Sequence, residues 1–253
     1  MLLEISGLTK YFGGLAAVSQ LDMYVKEGEI LGLIGPNGAG KTTVFNLITG
    51  VFPPTKGKVT FNGIDITGKK PHQVARLGIG RTFQLNPLFA NFTVLENISA
   101  SFHLHPSSSL LDIYFNTATY RRNEAYILEQ SLEIAQLVGL DKVKYELAKN
   151  LPHGYQKMLG IARVLAVKPR LLILDEPIAG MNPGEIDFTL DAIKKMQQQK
   201  MTILLVEHNM KILDLCERVV VVSFGQKIAE GTPKEVRQNK EVIRAYFGGE
   251  RVA

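Results

Sequence analysis

The chain has no tryptophan, a single cysteine and no long apolar run, and each shortage closes off a class of protein. One cysteine, Cys216, permits no internal disulfide and supplies no metal cluster, and its apolar neighbours suit a buried structural thiol. The longest apolar stretches, such as Leu171–Leu174 and Val219–Val222, fall far short of the roughly 18 residues that a membrane-spanning helix requires. The expectation is a chain that does not cross a bilayer. Met1–Gly7 contains Glu4 and lacks a basic segment followed by an apolar one, so no secretory signal is read there and the expected compartment is the cytosol. Runs of like charge, zinc spacings and base-stacking aromatic patterns are missing too, which argues against nucleic-acid binding despite a formal charge of +5. Low-complexity sequence is confined to Ser107–Ser109 and Gln197–Gln199, both too short to be linkers.

What is present suits one large domain, or a core with one inserted subdomain: 253 residues, 45% of them hydrophobic, can bury a sizeable core. Leu2–Asp65 reads as short strands with turns at Gly13-Gly14, Glu27-Gly28 and Asn62-Gly63. Within it, the apolar run Glu29–Ile34 ends in a glycine-rich loop, after which Lys41–Thr49 has helical spacing. The texture changes over 86–166, where Asn123–Val138 carries apolar residues at helical spacing, and this stretch reads as a helical insertion. Strand-like runs resume at Leu171–Leu174, Ile203–Val206 and Val219–Phe224, with a helical stretch around Ile186–Met196. Such alternation predicts an α/β fold with a largely parallel sheet.

Gly35-Pro36-Asn37-Gly38-Ala39-Gly40-Lys41-Thr42 fits the phosphate-loop pattern of Gly, four residues, Gly-Lys-Thr. Glycines let backbone N–H groups converge on β- and γ-phosphates, and the following helix presents its partially positive end to the same anion. Lys41 then reaches the terminal phosphates, and the Thr42 hydroxyl ligates Mg²⁺. The apolar run Leu171–Leu174 ends in Asp175-Glu176, placing two carboxylates at the carboxyl edge of a strand, where ligands of α/β sheets gather. Adjacent strand residues face opposite ways, so Asp175 is expected to hold Mg²⁺ through its waters and Glu176 to face the attacking water. Thr202–His208 repeats the design and delivers His208 as a contact to the γ-phosphate.

Together these motifs resemble the nucleotide-binding subunits of ABC transporters, in order and over nearly the whole chain. The resemblance implies a P-loop NTPase core with an N-terminal antiparallel β subdomain, the core being 1–85 and 167–253 and the helical subdomain 86–166. It adds Thr43 to the nucleotide-binding loop. Gly80-Arg81-Thr82-Phe83-Gln84 looks like the family's glutamine loop, making Gln84 a contact to Mg²⁺ and the attacking water. Lys10–Gly13 resembles the segment whose aromatic ring stacks on adenine; Phe12 is preferred to Tyr11, with a core position for either ring as the alternative.

Leu151-Pro152-His153-Gly154-Tyr155-Gln156 stands where the family has its signature, normally Leu-Ser-Gly-Gly-Gln. Pro152 replaces the serine and lacks a backbone N–H, so that contact is not carried over. Gly154 aligns with a signature glycine, and a helix beginning near Gln156 aims its N-terminus at the phosphate of a partner's ATP. Asn182, in Ala179-Gly180-Met181-Asn182, stands where the family often has aspartate and keeps hydrogen bonding across the dimer.

Further strings, among them Thr42–Asn46 and Val242–Gly248, look like the ATPases of branched-chain and neutral amino-acid importers. Urea-uptake and lipopolysaccharide-export ATPases are the near alternatives. The resemblance implies ATP and Mg²⁺ as cofactors and a pair of ATPase subunits, identical or homologous, beneath membrane permease subunits. It also implies an extracytoplasmic binding protein acting indirectly, and a place on the cytoplasmic face of the inner membrane. Leu85, Leu88, Phe89 and Phe92 are the candidate dock for a permease helix, or else core. A soluble ABC-type ATPase acting on ribosomes or DNA, and an ATP sensor that does not hydrolyse, are the readings from other classes.

Overall fold

The first strands follow from alternation. The computed structural model, which describes residues 1–82, 87–102, 109–207 and 212–247, begins with β1 (Leu3–Phe12), where Leu3 and Ile5 are buried and Glu4 and Ser6 exposed. It pairs antiparallel with β2 (Leu15–Val25) across a turn at Gly13-Gly14. After β3 (Ile30–Ile34), β4 (Lys56–Phe61) and β5 (Ile64–Asp65) form a second hairpin closed by Asn62-Gly63, both at positive φ as a two-residue turn requires. The order β2-β1-β4-β5 makes a four-stranded antiparallel sheet.

The remaining strands are β6 (Ile79–Arg81), β7 (Leu171–Asp175), β8 (Thr202–Val206), β9 (Arg218–Ser223) and β10 (Gln226–Gly231). With β3 they form a six-stranded sheet of order β10-β9-β3-β8-β7-β6, parallel except for the edge strand β10. Every residue of β3, β7 and β8 is buried, as strands covered on both faces require. Each fully buried aliphatic side chain there contributes about 1.5–3 kcal/mol. Arg218, at the start of β9, ties the two sheets together. Its Nη2 donates to the Tyr24 carbonyl and to Glu29 Oε1, each at 2.7 Å. Cys216 is buried and its thiol is pushed up to about 12 by that burial, in keeping with a structural role.

The helices are α1 (Lys41–Ile48), α2 (Pro71–Arg76), α3 (Val94–Phe102), α4 (Leu110–Tyr114), α5 (Ala118–Leu137), α6 (His153–Leu165), α7 (Pro183–Gln198), α8 (Pro233–Gln238) and α9 (Lys240–Phe247). Two of them start earlier than their apolar spacing indicates. Thr117 caps α5 by accepting from Tyr120 N at 3.3 Å, so that helix begins five residues before Asn123. α6 begins at His153 rather than near Gln156, because Pro152 has the fixed φ of an N-cap residue and the chain turns helical immediately after it.

Two compact units emerge. One comprises Met1–Arg81, Arg170–Pro177 and the chain from Gln197 on, and holds both sheets. The other comprises Thr82–Pro169 and Ile178–Met196 and is helical. Inside the helical unit, buried Asn97 of α3 exchanges bonds with the backbone of Phe89, accepting at 2.9 Å and donating at 3.0 Å, while Ser99 meets Ser131 of α5 at 3.0 Å. Among the described residues no helix is long and apolar enough to cross a membrane.

Candidate functional site

Strand β3 is wholly buried, so the chain leaves it at the carboxyl edge of the sheet and must turn tightly into α1. Two glycines permit that turn. A Cβ on Gly35 would lie 2.1 Å from the Val222 carbonyl oxygen, and one on Gly40 would lie 2.4 Å from that of Ala17, with φ already at +99°. Gly40 is the N-cap of α1, so no side chain caps the helix, and its first turn contains no acid. The first amides of α1 and the positive end of its dipole are thereby available to an anion from outside the helix.

Lys41 lies at the base of this loop, its Nζ donating to the carbonyl oxygens of Gly35 at 2.6 Å and Pro36 at 2.9 Å. Burial lowers its pKa from the usual lysine value, and the carboxylates of Glu176, Asp175 and Glu207 oppose that shift. Asn37, Gly38, Ala39, Gly40, Lys41, Thr42 and Thr43 line a cavity of about 340 Å³. Its other walls are Leu15–Ala17 of β2, Phe224-Gly225 and Glu176. Sequence elements more than a hundred residues apart thus deliver a carboxylate to the phosphate-type loop.

The two acids at the carboxyl end of β7, Asp175 within it and Glu176 just after it, part company. Glu176 takes a left-handed backbone, φ +47°, its N–H donating to the Val206 carbonyl at 3.0 Å, and it lines the cavity. Asp175 is not part of the cavity wall and is buried instead against Arg81, whose Nη2 lies 2.9 Å from Asp175 Oδ2. The same guanidinium donates through Nη1 to Asn46 Oδ1 at 2.7 Å and Thr49 Oγ1 at 3.3 Å. Sequence reasoning missed Arg81, although it stands inside the quoted Gly80–Gln84 string, because nothing in that string points to a partner 94 residues away.

Phe12 and Tyr11 are each 45% exposed, which excludes the core alternative for both rings. Phe12 stands edge-on to Phe52 at 5.6 Å and lies outside the cavity wall. Phe89 and Phe92 are likewise half exposed rather than core. Gln84, His208 and Leu85 lie outside the described residues.

Gly154 and Asn182 belong to the helical unit, where a residue not anticipated from sequence joins them. Glu185 accepts from Gly154 N at 2.8 Å with one oxygen and from Asn182 N at 3.0 Å with the other. Asn182 Oδ1 returns the bond by accepting from Glu185 N at 3.0 Å, closing a capping box on α7. The amide bonds from Gly154 and then Asn182 hold the Glu185 carboxyl below the usual glutamate pKa. Lys157 Nζ donates to the Ala179 carbonyl at 2.6 Å, and the Tyr155 and Phe188 rings stack at 4.8 Å, so the starts of α6 and α7 are bound to each other.

The residues fit a nucleoside triphosphate. The loop has two glycines, Gly35 and Gly40, where a Cβ would collide, an uncapped helix start, a lysine and a cavity of the right size for phosphates. They also fit Mg²⁺, whose preferred oxygen ligands are the kind that Thr42 and Asp175 carry, with phosphates and water completing the shell. No cluster of three or more His, Cys, Asp or Glu side chains that could hold a metal ion occurs among the described residues.

Comparison with known proteins gives the family and the fold. Residues 18–179 match the family model described as ABC transporter, and residues 226–252 match that of the branched-chain amino acid ATP-binding cassette transporter. The high-affinity branched-chain amino acid transport ATP-binding protein BraF of Pseudomonas aeruginosa is 41% identical over 249 residues, covering 98% of each chain. Among solved structures, the ADP conformation of MJ1267, an ATP-binding cassette of an ABC transporter, superposes with a TM-score of 0.82 at 32% identity, covering 98% of both chains. The dimeric structure of MJ0796, a bacterial ABC transporter cassette, has a TM-score of 0.75 at 22% identity over 91% of this chain and 98% of that one, a likeness of fold alone.

Proposed function

The chain belongs to the ABC transporter family of ATP-binding cassettes, and from that premise we propose that it is the ATP-hydrolysing motor of an importer for branched-chain or other neutral amino acids. The observation that carries the motor reading is the placing of Glu176 in the wall of the same cavity as Gly38–Thr43. A carboxylate there orients and polarises the water that attacks the γ-phosphate. The loop amides and Lys41 neutralise charge on the phosphoryl oxygens, and Lys41 exchanges its bonds to the Gly35 and Pro36 carbonyls for bonds to phosphate. Thr42 and Asp175, with Gln84, hold Mg²⁺, which when bound supplies positive charge to the phosphate oxygens. His208 contacts the γ-phosphate, and Phe12 stacks on the adenine.

Each copy supplies one half of a working site. Gly154 and Asn182 act on the nucleotide of a second ATPase subunit, identical or homologous, so closure depends on ATP. The motion passes to membrane permease subunits, and an extracytoplasmic binding protein brings the substrate. The chain works at the cytoplasmic face of the inner membrane. The amino-acid assignment is supported by the relatives named above.

Release of phosphate from ATP by the purified chain tests the motor. Glu176→Gln is expected to keep ATP binding and lose turnover by about 10²–10⁴-fold. Turnover near wild type in that variant would remove Glu176 from the reaction. Uptake of leucine into vesicles holding the co-purified permease tests the substrate class; movement of urea or lipid instead would overturn the amino-acid reading and leave the motor standing.

A further inference from the structure

We propose that Arg81 is a positioning residue for Mg²⁺-dependent nucleotide binding: one guanidinium fixes the Asp175 carboxylate against the face of α1 that begins with Thr42. This rests on the reading of Thr42 and Asp175 as Mg²⁺ ligands given above. Asp175 and Arg81 keep only 4% and 7% of their side-chain surface exposed. A carboxylate so far from water needs fixed donors to replace the lost solvent and hold its direction.

Arg81 meets that need in a particular direction. Nη2 bonds Asp175 at 2.9 Å while Nη1 reaches Asn46 at 2.7 Å and Thr49 at 3.3 Å. Thr42 and Asn46 are spaced i and i+4 on one face of α1, and the C-cap residue Thr49 continues that row at i+7. The Phe45 ring, 5.6 Å from the guanidinium carbon, packs against the same cation. Two oxygen donors on separate elements, the Thr42 hydroxyl in the first turn of α1 and the acid that closes β7, are therefore registered by a single planar group. A lysine keeps the charge but has no fork to span both elements. The positive charge also offsets Asp175, which with Glu176 and Glu207 gathers negative charge around Lys41.

A buried ion pair that only braces the fold would lower thermal stability and weaken ATP binding alike with and without metal. Calorimetric titration of the full chain with ATP, in EDTA and across a Mg²⁺ series, separates the two roles. In Arg81→Met the EDTA affinity is expected to stay within about twofold, while the Mg²⁺ concentration giving half the rise in affinity increases about tenfold, the usual scale for losing a partner of a metal ligand. Arg81→Lys is expected to move that midpoint in the same direction by less, and it decides the matter should Arg81→Met fail to fold. An unmoved midpoint in the folded variants, or an equal loss of affinity in EDTA and in Mg²⁺, would overturn the assignment of Arg81. A wild-type chain that binds no ATP under either condition would overturn the nucleotide reading itself, and Arg81 with it.

Discussion

The starts of α1 and α6 are built in opposite ways, though both are helix N-termini that the proposed cycle turns toward phosphate. α1 has glycine as its cap, no acid in its first turn and a lysine at its first position. α6 has Pro152 as its cap, which offers no side-chain acceptor, and Glu185 supplies a carboxylate to the Gly154 amide from 31 residues away. The first helix is left electropositive and the second is already neutralised by an internal anion. Under the proposed function two similar elements would hold different tasks: one would grip a nucleotide within its own unit, while the other would keep its shape until a partner arrives.

Removing the lysine from α1 should break the first half of that contrast most severely. Lys41→Ala is expected to weaken ATP binding by about 100-fold, since charge-assisted bonds to phosphate contribute on the order of 2–3 kcal/mol. Calorimetry checks this, and an unchanged affinity would mean that α1 and its loop do not form the phosphate site. On α6 the corresponding change is steric. A Cβ at position 154 would lie 2.9 Å from the Glu185 side chain, so Gly154→Ala should cost about 1–3 kcal/mol of stability by urea unfolding. Retained stability would show that Glu185 moves aside freely and that the two helix starts are less different than they look.

The smallest effect concerns charge alone. The carboxyl of Glu185 has its pKa depressed by the Gly154 amide first and that of Asn182 second, so its contribution is present above the ordinary glutamate pKa and fades as pH falls through the lowered folded value. Melting temperatures of wild type and Glu185→Gln, followed from pH 6 down to about 3, are expected to converge at the acid end. A constant gap at every pH would mean that the hydrogen bonds matter and the charge does not.

The same contrast explains what could be read from sequence. The loop from Gly35 to Thr42 was legible because its function needs particular residues in unbroken succession, and β3, β7 and β8 because strands buried on both faces must be continuously apolar. The start of α6 was misjudged by three residues, since apolar spacing says nothing about a proline cap. Arg81 with Asp175 and Glu185 with Gly154 were hidden for a different reason: each pair is made by folding, and neither partner carries a local mark of the other.

Glu176 sits in a backbone conformation that L-residues other than asparagine and aspartate rarely adopt, with the bond to Val206 holding it there. Relaxation to an extended conformation would turn its carboxylate to the face of the sheet opposite Asp175, as the alternation of a strand dictates. The sheet therefore acts as a clamp on a bent spring, and the acid's aim is stored in the main chain before any reactant arrives.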